Sequence, residues 1–185
     1  MPLTVPTRVE HEILPAPGAR LQLKVAKTGL FSGRKHLFSF PQFRGVVRFD
    51  RDRPADSSVE LELDVRALVV EDDWVSAKDR AKIKEYTEQQ MLDVARHPML
   101  RFASSEVQAA GDRIRVVGAL TVRGVTRPVE VSVLLREASD EGLVLEGYAM
   151  FPMTQFGLTP PSTAFGAIGT RDEMEFEFVL KTRPR

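Results

Sequence analysis

The chain has 185 residues, enough for one domain with a sizeable core, and its 26 basic and 26 acidic residues leave a formal charge of zero. That balance supplies no general attraction to nucleic acid or to an anionic surface, and no run approaches the roughly 18 apolar residues of a membrane span, so stable membrane insertion is not expected. The absence of cysteine excludes disulfides, thiolate catalysis and cysteine-held metal.

Pro2, Pro6, Pro15 and Pro17 interrupt any regular element near the start, so residues 1–18 read as a loosely ordered arm ahead of one domain over 19–182. No apolar run follows a basic end there, which places the chain in the cytoplasm, or in the periplasm if a leader has been removed. Leu21, Leu23 and Val25 alternate with Gln22 and Lys24, a first strand. Leu37 to Phe40 is short, aromatic-rich and limited by Pro41. Phe43, Gly45, Val47 and Phe49 carry the next strand, closed by the charged turn Asp50 to Pro54. Val59, Leu61, Leu63 and Val65 against Glu60, Glu62, Asp64 and Arg66 give the cleanest alternation, a sheet with one wet and one buried face.

Ser76 to about Arg96 has no proline or glycine and is rich in helix formers, with Ser76 and Asp79 spaced as a cap and His97-Pro98 as the stop. Its apolar stripe, Ile83, Tyr86, Met91 and Val94, is thin, so the helix is expected to cover the rim of a sheet. Strands resume at Leu100 to Val107. A long hairpin then spans Arg113 to Leu135, with Ile114, Val116, Leu120 and Val122 on one strand and Val129, Val131, Val133 and Leu135 on the other. Leu143 to Phe151, a loop over 152–169 and the alternation Met174, Phe176, Phe178, Leu180 complete the chain. Eight or nine strands at hairpin spacing with one helix make a mainly all-β protein, either a sandwich or a closed barrel; the pattern alone does not choose.

Three ordered segments resemble the YceI-like family. They are Phe43-Arg44-Gly45-Val46-Val47-Arg48-Phe49-Asp50, then Pro98-Met99-Leu100-Arg101-Phe102-Ala103-Ser104-Ser105, and Gly118-Ala119-Leu120-Thr121-Val122-Arg123-Gly124-Val125-Thr126-Arg127-Pro128-Val129. The resemblance implies an extended eight-stranded antiparallel lipocalin-like barrel with the helix near 76–96 over one end, and a bound polyisoprenoid or related lipid. Family members often pair, so a homodimer is compatible with it. One departure concerns the late loop, where Met153-Thr154-Gln155-Phe156-Gly157 stands in place of Arg-x-Asp-Phe-Gly; both charges are missing, and no head-group contact carries over.

An eight-stranded barrel has an interior just wide enough for side chains or one slender ligand. The inward candidates are Phe49, Leu61, Leu63, Phe102, Leu120, Val122, Val131, Val133, Leu145, Phe176 and Phe178. The late loop adds Phe151, Phe156 and Phe165, which either plug a barrel end, form the mouth for an apolar tail, or meet another chain.

Catalytic signals are weak. His11, His36 and His97 lack ligand spacing and read as surface or loop residues, Phe31-Ser32-Gly33 is no nucleophile elbow, and Asp72-Asp73 and Asp172-Glu173 read as solvated edge charges. The expectation is a non-enzymatic carrier or sequestering protein, without metal or cofactor, for a long apolar lipid such as a polyisoprenoid, an isoprenoid quinone or a fatty-acid-like molecule. The alternative is an interaction or stress-related scaffold whose barrel is filled by its own side chains.

Overall fold

A computed structural model describes residues 8–185. Its strands are β1 (Arg8–Ile13), β2 (Arg20–Gly29), β3 (Lys35–Ser39), β4 (Phe43–Asp50), β5 (Ser58–Asp64), β6 (Val69–Val70), β7 (Met99–Ala110), β8 (Arg113–Val122), β9 (Val125–Ser139), β10 (Gly142–Pro152) and β11 (Ile168–Pro184). Every pairing is antiparallel, and β1 joins both β4 and β11, which closes the ring β1-β4-β5-β7-β8-β9-β10-β11 into an eight-stranded barrel. Closure removes the sheet edges that an open sandwich would leave.

The barrel is extended because three of its strands are long and broken. Along β11, β1 runs from His11 opposite Pro184 to Ile13 opposite Thr182, and β2 resumes at Arg20 opposite Val179. β4 and β3 continue one another beside them, as do β5 and β6, so that β2-β3-β6 projects beyond the closed ring. The breaks fall at Pro15 and Pro17, at Pro41, and at a 3₁₀ turn over Val65–Ala67. Proline cannot donate to a ladder, so the two-residue-period strands stop there and restart.

Strand β1 corrects the expectation of a loose arm as far as residues 8–13 are concerned. Val9, His11 and Ile13 alternate with Arg8, Glu10 and Glu12, and Ile13 is fully buried. Pro15, two residues beyond Ile13, ends the strand without preventing it. Residues 1–7 lie outside the described part.

Outside, the balanced charge is laid out as cross-strand pairs. Lys24 meets Glu177, Arg115 meets Glu130, Arg136 meets Glu146, and Glu62 accepts from both Arg44 and Arg101. Those two guanidinium groups hold the Glu62 carboxyl below its usual range by hydrogen bonding. Exposed pairs of this kind add little to stability individually; they keep the outer face polar while the inner face stays apolar.

The helix is shorter than the sequence suggests. α1 covers Ala77–Tyr86, with Ser76 Oγ accepting the Asp79 N–H at 3.1 Å as its cap. A π-helical turn follows at Thr87–Met91, where the Leu92 N–H reaches the Thr87 carbonyl. The wider turn begins where the Thr87 hydroxyl bonds back to the Ile83 carbonyl, and it turns Met91, Leu92 and Val94 onto the core. A regular helix would keep Met91 and Val94 on one face and turn Leu92 about 100° away from Met91. The Arg123 guanidinium, at the two-residue turn between β8 and β9, donates to the Gln90 carbonyl at 3.1 Å and ties this turn to the barrel end.

Candidate functional site

Alternation points one face of each ring strand inward, and those faces enclose an apolar cavity of about 160 Å³. Leu63, Leu100, Leu120 and Phe151 line it towards the helix-covered end; Ser57, Ser58, Leu135 and Leu143 line it towards the opposite rim. Its floor is aromatic. Phe176 stacks on Phe151 at 5.6 Å and on Phe40 at 6.1 Å, and Phe156 meets Phe151 edge-on at 5.5 Å. Beyond those rings Phe38, Phe43, Leu68, Met153 and Leu158 are buried and the end is packed shut.

Two glycines keep the lumen from filling. Gly147 faces Phe178 across the β10–β11 ladder, and a Cβ there would lie 2.6 and 2.7 Å from two ring carbons. Gly118 likewise lies beneath the Phe102 ring. With hydrogen in place of a side chain, each ring rests against the wall instead of projecting to the barrel axis.

Of the fourteen candidates, eleven line the cavity: Phe49, Leu61, Leu63, Phe102, Leu120, Val131, Val133, Leu145, Phe151, Phe176 and Phe178. Val122 and Phe156 do not; they are buried in the packed end. Phe165 is a correction, because it is wholly exposed on a turn (Ala164–Gly166) with a left-handed backbone. The late loop therefore divides. Its first half, the 3₁₀ turn Met153–Phe156 pinned by Thr154 to the Asp172 carboxylate, plugs the barrel, and its second half faces solvent. The buried half closes this end of the cavity. The cavity wall reaches the other rim, at the turn Pro54–Asp56, which the buried Asp50 organises by accepting the Asp52 and Arg53 N–H groups.

The family model of the YceI-like domain matches residues 18–182. The chain belongs to the YceI-like family. A UPF0312 protein of Pectobacterium atrosepticum is 29% identical over 103 residues, and the YceI protein of Salmonella arizonae 27% over the same length. That aligned length is 56% of this chain and 50% of each relative, so the match spans about half the length of the curated relatives. Among solved structures, Burkholderia cenocepacia BcnA superposes with a TM-score of 0.73 at 19% identity, over 91% of this chain and 98% of that one. A mutant Campylobacter jejuni YceI protein, solved with a monobromobimane guest, gives 0.62 at 12% identity over 80% and 84%. These similarities establish the barrel; none of the names indicates an enzyme family.

Within this YceI-like barrel the sequence pattern hides part of the wall. Ile13 falls in the supposed arm, although its alternation with Glu10 and Glu12 is visible. Ser57 follows the turn Pro54–Asp56 and Ser58 opens β5, and no periodicity announces either as wall.

Two polar groups also differ from expectation. Asp72, expected as a solvated charge, is buried; it accepts the Leu37 N–H at 2.7 Å and lies 2.6 Å from His36 Nδ1, with Trp74 stacked on the imidazole. The pair satisfies the end of β3, outside the cavity wall. His11, expected as a surface or loop residue, is buried on the inner face of β1. Desolvation pushes its pKa below the ordinary value of 6.5.

Proposed function

We propose that this chain binds and carries, or sequesters, a slender apolar lipid in the barrel interior without transforming it. One observation carries the reading: the lumen of a closed barrel holds a cavity with a wholly apolar exposed wall, and its rings are held back by glycines. Sites for small molecules combine such walls with few polar groups. Each buried methylene contributes about 0.8 kcal/mol gross, so the tail supplies the affinity and its length governs selection. Among the described residues no charged side chains converge inside to act on a substrate, which favours binding over catalysis.

The size of the cavity favours a second reading as well. At about 160 Å³ it resembles the ~150 Å³ apolar cavity that takes a benzene, and it falls below the roughly 300 Å³ of an ordinary ligand pocket. A long tail must then spread the Phe102 and Phe178 rings or leave through the Ser57 rim. A scaffold whose barrel its own side chains largely fill needs no such movement. Native mass spectrometry of the purified protein, followed by organic extraction, separates the two. The carrier reading expects an adduct that extracts as an apolar molecule and reloads onto stripped protein. A bare mass that takes up no apolar chain on titration supports the scaffold.

A further inference from the structure

The rim opposite the helix holds a buried polar group that an apolar lumen does not need. His11 is only 4% exposed, and its Nδ1 has no hydrogen-bond partner among the described residues. Strand alternation places it on the inner face of β1, between the fully buried Ile13 and the rim residue Val9. Buried polar atoms are nearly always paired. A leucine would occupy this position without leaving an unpaired nitrogen.

His11 also forms part of the wall of a depression at that rim, together with Phe49, Arg51, Asp52, Asp140 and Leu143. Phe49 and Leu143 line the apolar cavity too, so the two spaces meet at these side chains. The charged groups facing the depression, Arg51 against Asp52 and Asp140, are all exposed and sum to a negative charge. Among the described residues no buried cation is offered there to a phosphate, which would need one if it were desolvated. A neutral imidazole presents one N–H donor and one acceptor nitrogen.

We propose that this rim is the head-group site for the ligand of the lumen, and that His11 hydrogen-bonds a neutral polar head, a hydroxyl or a carbonyl, while the tail lies in the apolar cavity. The inference rests on the lipid-binding reading and adds the ligand's polarity and orientation: head at the Ser57 rim, tail towards Phe151. It also excludes a diphosphate or carboxylate head as the preferred one.

The test is competition between decanol, decane and decyl phosphate for the intact chain, read by native mass spectrometry. Decanol is expected to exceed decane about tenfold, the worth of one net hydrogen bond, and to exceed decyl phosphate. In His11→Leu the decanol-to-decane ratio should fall to about one or below, and His11→Gln, which keeps a donor and an acceptor, should retain part of it. If His11→Leu does not fold, ¹⁵N spectra of the imidazole in the unaltered protein decide the same question, because decanol should shift the His11 signals and decane should not. An undiminished ratio in His11→Leu, imidazole signals indifferent to decanol, or decyl phosphate as the tightest ligand overturns the head-group site alone. Failure of all three compounds to bind overturns the lipid-binding reading, and this inference with it.

Discussion

Replacing Gly147 by alanine tests the lumen with one methyl group. The new Cβ would fall closest to Phe178 Cζ, with Cε2 at 2.6 Å and Cε1 at 2.7 Å, whereas carbons settle at about 3.5–4.0 Å. The ring must therefore move by about 1 Å or more. The backbone at Gly147 is ordinary strand paired to Phe178, and the three nearest atoms are all carbons of that ring, which faces the lumen. Overpacking of a filled core costs about 1–3 kcal/mol; with a cavity of about 160 Å³ to receive the ring, the loss should lie near the lower figure. Ligand binding should suffer more. If the ring displaces two methylenes of a bound tail, the loss is about 1.6 kcal/mol, roughly fifteenfold in Kd. Calorimetric titration with decanol, alongside denaturant melts, reads both quantities. Adding Phe178→Leu should restore binding to Gly147→Ala by shortening the obstruction. Gly147→Ala with full stability and unchanged affinity would refute the claim that the lumen is the ligand site.

Other expectations follow from single contacts. Arg123→Ala removes the donor to the Gln90 carbonyl and should cost about 1 kcal/mol, with faster amide exchange confined to residues 87–92; uniform exchange changes would argue against that anchor. Phe165→Ser should alter stability by less than about 0.5 kcal/mol and leave decanol affinity intact, since the ring is wholly exposed; a large loss in either would return the late loop to the site. His11 makes stability depend on pH in a definite sense. Its folded pKa lies below 6.5, so between that depressed value and 6.5 the unfolded chain binds the extra proton. Stability present above about pH 6.5 should therefore decline as pH falls through this window, by at most about 1.4 kcal/mol per unit. The difference between wild type and His11→Leu in urea melts isolates that contribution, and a stability that rises on acidification relative to His11→Leu would contradict it.

How far the sequence spoke depended on where each residue stood in a ladder. Leu61, Leu63, Phe102 and Leu120 lie in stretches of ladder whose register is continuous, and the two-residue period places them on the cavity wall directly. Val9, His11 and Ile13 obey the same period, but six residues between proline-rich flanks are too short a pattern to outweigh the breakers. Phe156 and Phe165 belong to one apolar loop and have opposite fates. The turn at Met153–Phe156 folds inward against Phe151 while Ala164–Gly166 folds outward, and turn direction is set by tertiary contacts such as Thr154 with Asp172. The open end was illegible for the same reason. It depends on which turns cover which rim, and Ser57 becomes part of the wall only because Asp50 folds the turn before it. Asp72 shows the limit for charge, since a carboxylate in a polar stretch reads as solvated until a strand end needs its oxygens.

The most direct measurement is the dependence of affinity on tail length. Isothermal titration of stripped protein with straight-chain alcohols of increasing length should show Kd falling by about fourfold per added methylene until the cavity is filled, and a negative heat-capacity change that grows with length. An affinity that ignores tail length, or no uptake at any length, would contradict the account of this barrel as a container for an apolar chain.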